Sequence, residues 1–400
     1  MATTMELQRS WRGPVLFSYG FRPFFSFGAV LAALLILLWV PWFLGLIAIP
    51  SALPPVAWHT HELLFGYVPA IVAGFLLTAV PNWTGRLPVV GRPLIGLFGL
   101  WLVGRLSVVL SSFVDPLSLA ALTLFFPVAL AGVIAREIVA GRNWRNLKVL
   151  TGVVVLGLAQ ALFHHEIWRY GRPLVSDRIA IGATLMLIMI VGGRIVPSFT
   201  TNWLKRENPG RQPVPFGRFD LIAMMVAALA LAGWAAAPLH PAIEQPTGLL
   251  LLASGILQVV RLIRWAGDRT LAEPLITVLH VAFAFVPVGF WLSGYALLMA
   301  DDGARSAGLH AWTAGATGLM TLAVMTRASR GHSGRPLTAP PATVLIYVAA
   351  FLAAVLRMAA AFAPAHTMML LGAAGGAWVV AFLGFAACYG PMLLRSREGA

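Results

Sequence analysis

Apolar stretches of about 20 residues recur along this whole chain and are separated only by short polar segments. A helix of about 20 residues spans about 30 Å, which is the thickness of the hydrocarbon core of a bilayer. Hydrophobic residues make up 59% of the 400 residues and charged residues 10%, against roughly half and roughly a quarter in an average soluble domain. The chain is therefore predicted to be an all-α integral membrane protein.

We predict about twelve transmembrane helices in a single polytopic membrane domain over residues 1–400, with no stretch left for a soluble module. The first apolar stretch has a basic flank like that of a signal peptide. It is too long for that role and lacks a small-residue cleavage site, so it counts as a helix. The predicted spans are 24–47, 62–81, 94–113, 117–135, 147–165, 179–198, 218–239, 246–263, 272–299, 307–326, 341–362 and 367–394.

The 28 Lys and Arg residues are distributed unevenly between alternate loops. The loops on the side of the N-terminus hold 21 of them, the opposite loops hold four, and Arg105, Arg194 and Arg357 lie inside spans. This bias is the positive-inside signature, and it places both termini in the cytoplasm. It also accounts for the net charge of +14 without nucleic acid as a partner.

Histidines are the main candidates for chemistry, because ionisable groups at membrane depth need a partner or a function. The single Cys388 excludes any multi-cysteine metal site. If a metal is bound, histidine must therefore supply most of its ligands. The histidines considered for such a role are His59, His61, His164, His280 and His310.

His59 and His61 precede an acidic residue, Glu62. If their helix begins at the Pro54-Pro55 pair, the two rings point about 200° apart and cannot easily share one metal. Glu62 would then lie on the face of His59, where it could accept that ring's second N–H. An interfacial pair that caps loop carbonyls explains the same residues equally well.

The other candidates carry weaker signals. His164 and His165 end a span, and the pattern leaves open which of them points inward. His280 has no polar neighbour in sequence, so its partner must come from another helix; His310 opens the tenth span. No role is assigned to His332.

The arginines inside spans require counter-ions. For Arg105 and Arg194 we expect a carboxylate, such as Glu62, Glu166 or Asp301, or the propionates of a haem. Glu62, Arg105 and Arg194 are accordingly candidate cofactor-binding residues, whereas Arg357 has no predicted partner.

The ends of the second, sixth and tenth spans are similar to one another in sequence, with Val-Pro or Val-Met near the end. Since these spans lie four apart, three units of four helices are one explanation. Chance similarity between helix ends that favour Val, Pro and Trp near the membrane interface is another.

Several stretches together resemble the NnrS family of bacterial membrane proteins. The most specific runs from Trp58-His59-Thr60-His61-Glu62 to Gly85, although Thr60 stands where the family usually has Ala. Ser333 also replaces a frequent Thr, and neither difference affects a candidate ligand. The remaining stretches are 20–25, 104–106, 163–164, Gly192-Gly193-Arg194, Leu279-His280 and 310–336.

The resemblance implies a twelve-span protein of the bacterial inner membrane that contains haem and copper and takes part in nitric oxide metabolism and resistance to nitrosative stress. A plan of three four-helix groups, as in subunit I of the haem–copper oxidases, is a further analogy at the level of the fold. We expect the metals near the outer half of the bilayer, held by some of the five histidines.

Two functions remain open from the sequence. One is a redox metalloprotein that binds nitric oxide or, with a quinol or another electron donor, reduces it to nitrous oxide. The other is a transporter of a metal, haem or a small anion, in which the membrane histidines and arginines would line a path.

Overall fold

The computed structural model describes residues 11–395, apart from the side chain of Asn82, and the regular structure within them is helical. Twelve long helices follow one another along the chain, and short 3₁₀ turns lie in several of the connections. The long helices are α1 (Phe21–Phe43), α2 (Pro55–His61, Glu62–Tyr67 and Val68–Thr84), α3 (Arg92–Val109), α4 (Pro116–Ala140), α5 (Leu147–Tyr170), α6 (Ser176–Leu187, Ile188–Gly192 and Gly193–Glu207), α7 (Arg218–Ala236), α8 (Glu244–Ile263), α9 (Pro274–Met299), α10 (Asp302–His310, Ala311–Leu319 and Met320–His332), α11 (Pro341–Ala359) and α12 (Thr367–Leu394).

The helices confirm the predicted all-α membrane protein. Each predicted span falls on one helix, and α2 begins at Pro55, where the fixed φ of proline suits a first turn. Within residues 11–395, the helices other than α10 are the 11 that are long and apolar enough to cross a membrane. The span predicted in α10 carries glycine and threonine where the others carry mainly Leu and Val. Arg9 and Arg397, two of the basic residues counted above, lie outside the described residues.

Helix α3 shows how the sequence directs one face inward. Its buried residues include Leu94, Leu97, Trp101, Arg105 and Val108, which recur every three or four positions. This spacing places them along a single stripe of the helix. Because the stripe contains Arg105, the buried face of α3 requires a polar partner as well as apolar neighbours.

Three helices contain π-helical turns, which are Glu62–Tyr67 in α2, Ile188–Gly192 in α6 and Ala311–Leu319 in α10. They are the π segments found within residues 11–395. Such turns are rare and occur frequently at functional sites. Helices α2, α6 and α10 are also the three whose ends resemble one another in sequence, so their similarity extends to the backbone conformation.

Three groups of four helices, one of the two explanations left open for the similar span ends, are not the grouping that the contacts between helices give. The described part of the chain forms two compact units. One contains the residues up to Ala180, Ala328–Pro336 and those from Phe382 onward, and the other contains Ile181–Arg327 and Leu337–Ala381. Helix α5 packs on α4 and α9 packs on α8, across the boundaries of the expected groups. Short connections make consecutive helices antiparallel neighbours, whatever repeat they belong to. The single domain over residues 1–400 stays a prediction.

A buried ion pair lies in the second unit. Arg261 is fully buried, and its Nε donates to Oδ1 of Asp220 over 3.2 Å. Its Nη1 donates to Oε1 of Gln258 over 2.9 Å, and Nη2 donates to the carbonyl of Met189 in the π turn of α6 over 3.4 Å. One guanidinium thus neutralises a carboxylate and contacts the backbone of an irregular turn.

Removing the carboxylate of this pair is expected to destabilise the fold strongly. Asp220→Ala leaves Arg261 buried without its counter-ion, which costs about 3–5 kcal/mol. Asp268 pairs with Arg211 on the surface, so Asp268→Ala should change stability by about 1 kcal/mol or less. Unfolding of the purified variants in detergent measures both effects, and equal losses would contradict the assignment.

Candidate functional site

Two buried imidazoles face each other in the first unit. His61 on α2 is fully buried and His164 on α5 is 8% exposed. Their Nε2 atoms lie 3.3 Å apart. The rings of Phe65 and Phe163 lie beside His61, with centroid distances of 5.5 and 5.4 Å. In such apolar surroundings two facing nitrogen lone pairs repel each other unless a proton or a cation lies between them.

A carboxylate and an arginine support His61 from behind. Oε1 of Glu62 lies 3.0 Å from Nδ1 of His61 and also accepts a hydrogen bond from Nη1 of Arg105. Both Glu62 and Arg105 are buried. Since an ionised carboxylate only accepts, Nδ1 of His61 carries the proton and its Nε2 has a lone pair directed at His164.

Glu62 was predicted to support His59, and its partner in the structure is the adjacent His61. The prediction assumed a regular α-helix, in which consecutive side chains point well apart. The π turn begins at Glu62, and its wider coil reduces the angle between consecutive side chains. The carboxylate of Glu62 can therefore reach the ring that directly precedes it.

Helix α3 holds the π turn in place through two residues one helical turn apart. Nε1 of Trp101 donates to the carbonyl of Gly66 over 2.9 Å. The guanidinium of Arg105 packs so closely on Gly66 that a Cβ there would overlap it. Glycine at position 66 thus makes room for the arginine that pairs with Glu62.

The hydrogen bonds around His164 define its tautomer. Oγ1 of Thr123 on α4 lies 2.8 Å from Nε2 of His164 and donates to the carbonyl of Ala120 over 3.0 Å. The hydroxyl must therefore accept from His164, which places the proton on Nε2. Gln160, one turn before His164, donates to the carbonyl of Thr123 over 3.2 Å. His164 is the donor and His61 an acceptor in this arrangement.

The neighbouring histidines point elsewhere. His59 stacks on Trp39, with ring centroids 4.2 Å apart, as expected from the divergence of residues two apart on a helix. His165 is exposed, and its ring lies near Trp168. The structure thereby resolves the choice between the two adjacent histidines of α5, because His164 is the one that points inward.

In the second unit, His280 and His310 lie apart from each other. Nε2 of His280 lies 2.9 Å from Oγ1 of Thr200 near the start of α9, while Nδ1 of His310 lies 2.8 Å from the carbonyl of Ser306 on α10. With a rise of 1.5 Å per residue, the positions in α9 and α10 place the two histidines about 16 Å apart along the helix axes. They cannot bind one metal together.

The charged candidates have separate surroundings. Arg194 is exposed on α6, and Nη2 of Arg357 lies 3.5 Å from Oγ of Ser306. Glu166 accepts hydrogen bonds from the backbone of Leu174 and of Ser176 at the start of α6, and Asp301 caps the start of α10. Neither carboxylate has an ion pair with an arginine among the residues described. His332 lies next to the rings of Tyr19 and Phe21.

Four residues of the site had not been identified from the sequence: Gly66, Trp101, Thr123 and Gln160. The sequence did contain a signal for two of them, because Trp101 lies one helical turn before Arg105 and Gln160 lies one helical turn before His164. Thr123 is one of two hydroxyl residues, with Ser118, in a largely apolar helix. Each of these patterns is common in membrane helices for reasons of packing alone.

A polytopic α-helical membrane protein with a buried histidine pair, supported by a carboxylate and an arginine, is the class that the fold and the site define. The family model described as NnrS protein matches residues 15–397. The chain belongs to the NnrS family, which is consistent with a membrane protein related to nitric oxide. No curated protein matches the chain.

Alanine at position 66 is expected to disturb the site. The new Cβ of Gly66→Ala would displace Arg105, and overpacking of this kind costs about 1–3 kcal/mol. Gly96→Ala is the matched control, because Gly96 lies on α3 with open space around its Cβ position. Thermal unfolding in detergent should show a clear decrease for the first variant and none for the second. Equal melting temperatures for both variants would contradict the close packing of Arg105 on Gly66.

Proposed function

We propose that this NnrS-family protein binds nitric oxide at a metal centre built on His61 and His164 and, with a quinol as electron donor, reduces it to nitrous oxide. The observation that carries the proposal is the 3.3 Å separation of two buried imidazole nitrogens. Glu62 orients the first of these rings through Nδ1, as carboxylates around metal-binding histidines commonly do. Haem and copper are the proposed cofactors.

The histidines of the second unit fit a haem to different degrees. A carbonyl oxygen only accepts, so His310 donates from Nδ1 to the carbonyl of Ser306, and its Nε2 would hold the iron of a haem. Nδ1 of His280 has no hydrogen-bond partner among the described residues. A Cβ on Gly267 would lie 2.5 Å from that atom, so iron does not fit there. His310 is therefore the better candidate.

The chain's own residues provide binding and orientation. The phenyl rings of Phe65 and Phe163 exclude water around His61 and form a surface suited to a small neutral molecule that dissolves in lipid. Glu62 and Arg105 form a buried ion pair that fixes the ring of His61. The bound metals would supply the positions at which nitric oxide is held and electrons are received. Two molecules of nitric oxide, two electrons and two protons give one nitrous oxide and one water, and a quinol supplies both the electrons and the protons.

We further propose that the protein resides in the bacterial inner membrane with both termini in the cytoplasm. The support is the excess of Lys and Arg in the loops on the side of the N-terminus, 21 against four. In this orientation the His61 end of α2 lies toward the outer face. A reporter that is active only in the cytoplasm should be active when it is fused to either terminus. A reporter that is active only outside the inner membrane should be inactive at both termini.

Transport of a metal, haem or a small anion is the second candidate. It is favoured by Arg194 and Arg357, which lie within spans and outside the Glu62 site. Purified protein that contains neither haem nor copper after growth with both would support transport and would contradict the redox function.

Replacement of either facing histidine is expected to abolish turnover of nitric oxide. Both His61→Ala and His164→Ala remove one of the two nitrogens, whereas His165→Ala alters an exposed neighbour on the same helix. The measurement is nitrous oxide formation by purified protein supplied with a quinol under anaerobic conditions. We expect His61→Ala and His164→Ala to form no nitrous oxide and His165→Ala to form it at the wild-type rate. If wild-type protein binds nitric oxide without forming nitrous oxide, the proposed reductase activity is contradicted and only the proposed binding of nitric oxide remains.

A further inference from the structure

We propose that the end of α10 and the start of α1 form a binding site for the phosphate group of an anionic phospholipid. The site consists of five residues that we call the Arg22–Arg330 cluster: Arg22 on α1, Ser329, Arg330 and His332 in the last turn of α10, and Ser333 directly after it. All five lie in the first unit, and none of them takes part in the function proposed above.

The two arginines of the cluster are buried and have only carbonyl partners. Arg22 is 7% exposed, and its Nη1 donates to the carbonyls of Leu393 and Arg395 over 2.8 and 2.9 Å. Arg330 is 9% exposed, and its Nε donates to the carbonyl of Pro336 over 2.8 Å. In the described part of the chain, neither arginine has an ion pair with a carboxylate. Carbonyl oxygens offset only part of a guanidinium's charge, so two buried cations of this kind require an anion.

Two buried hydroxyls next to Arg330 lack a partner as well. Ser329 is fully buried, and neither its Oγ nor the Oγ of Ser333 has a hydrogen-bond partner among the described residues. The threonines of the same helix differ, because Thr321 and Thr326 donate to carbonyls one helical turn before them. Leaving a buried hydroxyl without a partner is costly. The two serines are therefore donors available to a bound group.

The residues of the cluster face a common region. The four that lie on or directly after α10 fall within an arc of roughly 160° around its axis. The ring of His332 contacts those of Tyr19 and Phe21, with centroid distances of 5.3 and 5.4 Å. Cζ of Arg22 lies 5.8 Å from the centroid of Phe21, so His332 and Arg22 flank the same ring. His332 is exposed, which opens the cluster to the surface.

The cluster lies at the level where phospholipid phosphates occur. The bond from Arg22 to the carbonyl of Leu393 places the start of α1 beside the end of α12, where two apolar spans terminate. Gly20 packs against Leu77 of α2, at a height about 24 Å from His61 along that helix. Phosphates of the bilayer lie just beyond its hydrocarbon core. Basic pockets between transmembrane helices bind the headgroups of anionic lipids.

The chemistry of the donors favours a phosphate group. A phosphate has several oxygens, and it can accept from guanidinium and hydroxyl groups at the same time. The cluster offers donors of both kinds from two helices, and it contains no carboxylate. An anionic phospholipid therefore matches the cluster in charge, in donor type and in depth.

The test measures lipid binding by purified full-length protein in detergent. After removal of endogenous lipid, phosphatidylglycerol or phosphatidylcholine is added, and bound lipid is quantified by native mass spectrometry. The wild type should prefer the anionic phosphatidylglycerol. Arg330→Gln should weaken its binding about tenfold or more, because a charge-assisted hydrogen bond is lost. Arg145→Gln removes an exposed arginine outside the cluster and should bind the lipid like the wild type.

Ser329→Ala separates lipid binding from folding. The variant removes a hydroxyl that has no partner in the described part of the protein, so its melting temperature without lipid should equal or exceed that of the wild type. Its affinity for phosphatidylglycerol should fall about threefold to tenfold. Equal binding of the two lipids by the wild type would overturn the proposal, as would unchanged affinity in Ser329→Ala. Both results are obtained even if Arg330→Gln fails to fold.

Inorganic phosphate and the acidic residues near the chain ends are the competing occupants. If inorganic phosphate binds wild-type protein and displaces phosphatidylglycerol at equal concentration, the cluster is a site for free phosphate and the lipid is excluded. Glu6 and Glu398 lie outside the described residues, so the double variant Glu6→Gln/Glu398→Gln is tested as well. It should bind phosphatidylglycerol like the wild type. Binding strengthened about tenfold or more would assign the two arginines to these carboxylates and overturn the proposal.

Discussion

The Arg105–Glu62 ion pair is the interaction on which the organisation of the first unit depends. A lone carboxylate or guanidinium in a membrane interior is costly, so each requires the other. The pair joins α3 to α2 at the beginning of the π turn and fixes the ring of His61. The orientation of the His61 ring then places its Nε2 opposite Nε2 of His164. The carboxylate that neutralises Arg105 thus also orients the imidazole of His61.

The helices were predictable because hydrophobicity and length determine them almost alone. Composition and local pattern were enough to derive the twelve helices, the start of α2 at Pro55 and the need of Arg105 for a counter-ion. The buried histidines were predictable for the same reason, since polar groups in apolar stretches are conspicuous. Sequence patterns of this kind report what each helix contains and give little information about which helices meet.

The partner of Glu62 and the grouping of the helices could not be obtained in that way. A π turn arises from one extra residue in a helical turn and has no distinctive composition, so the Glu62–His61 contact was not foreseen. The role of Thr123 depends on α4 packing beside α5, which is a matter of tertiary structure. The helices α2, α6 and α10, whose ends are similar in sequence, each contain a π turn before that end, and the similarity did not reveal that the described chain divides into two units.

The π turn in α2 also separates two requirements that a regular helix would combine. An extra residue rotates everything before it by about 100° relative to everything after it. The segment that carries His61 can therefore present its ring to α5, while the segment from Val68 to Thr84 keeps its own apolar face buried. One inserted residue sets the direction of the His61 ring independently of the direction in which the rest of the helix faces the core.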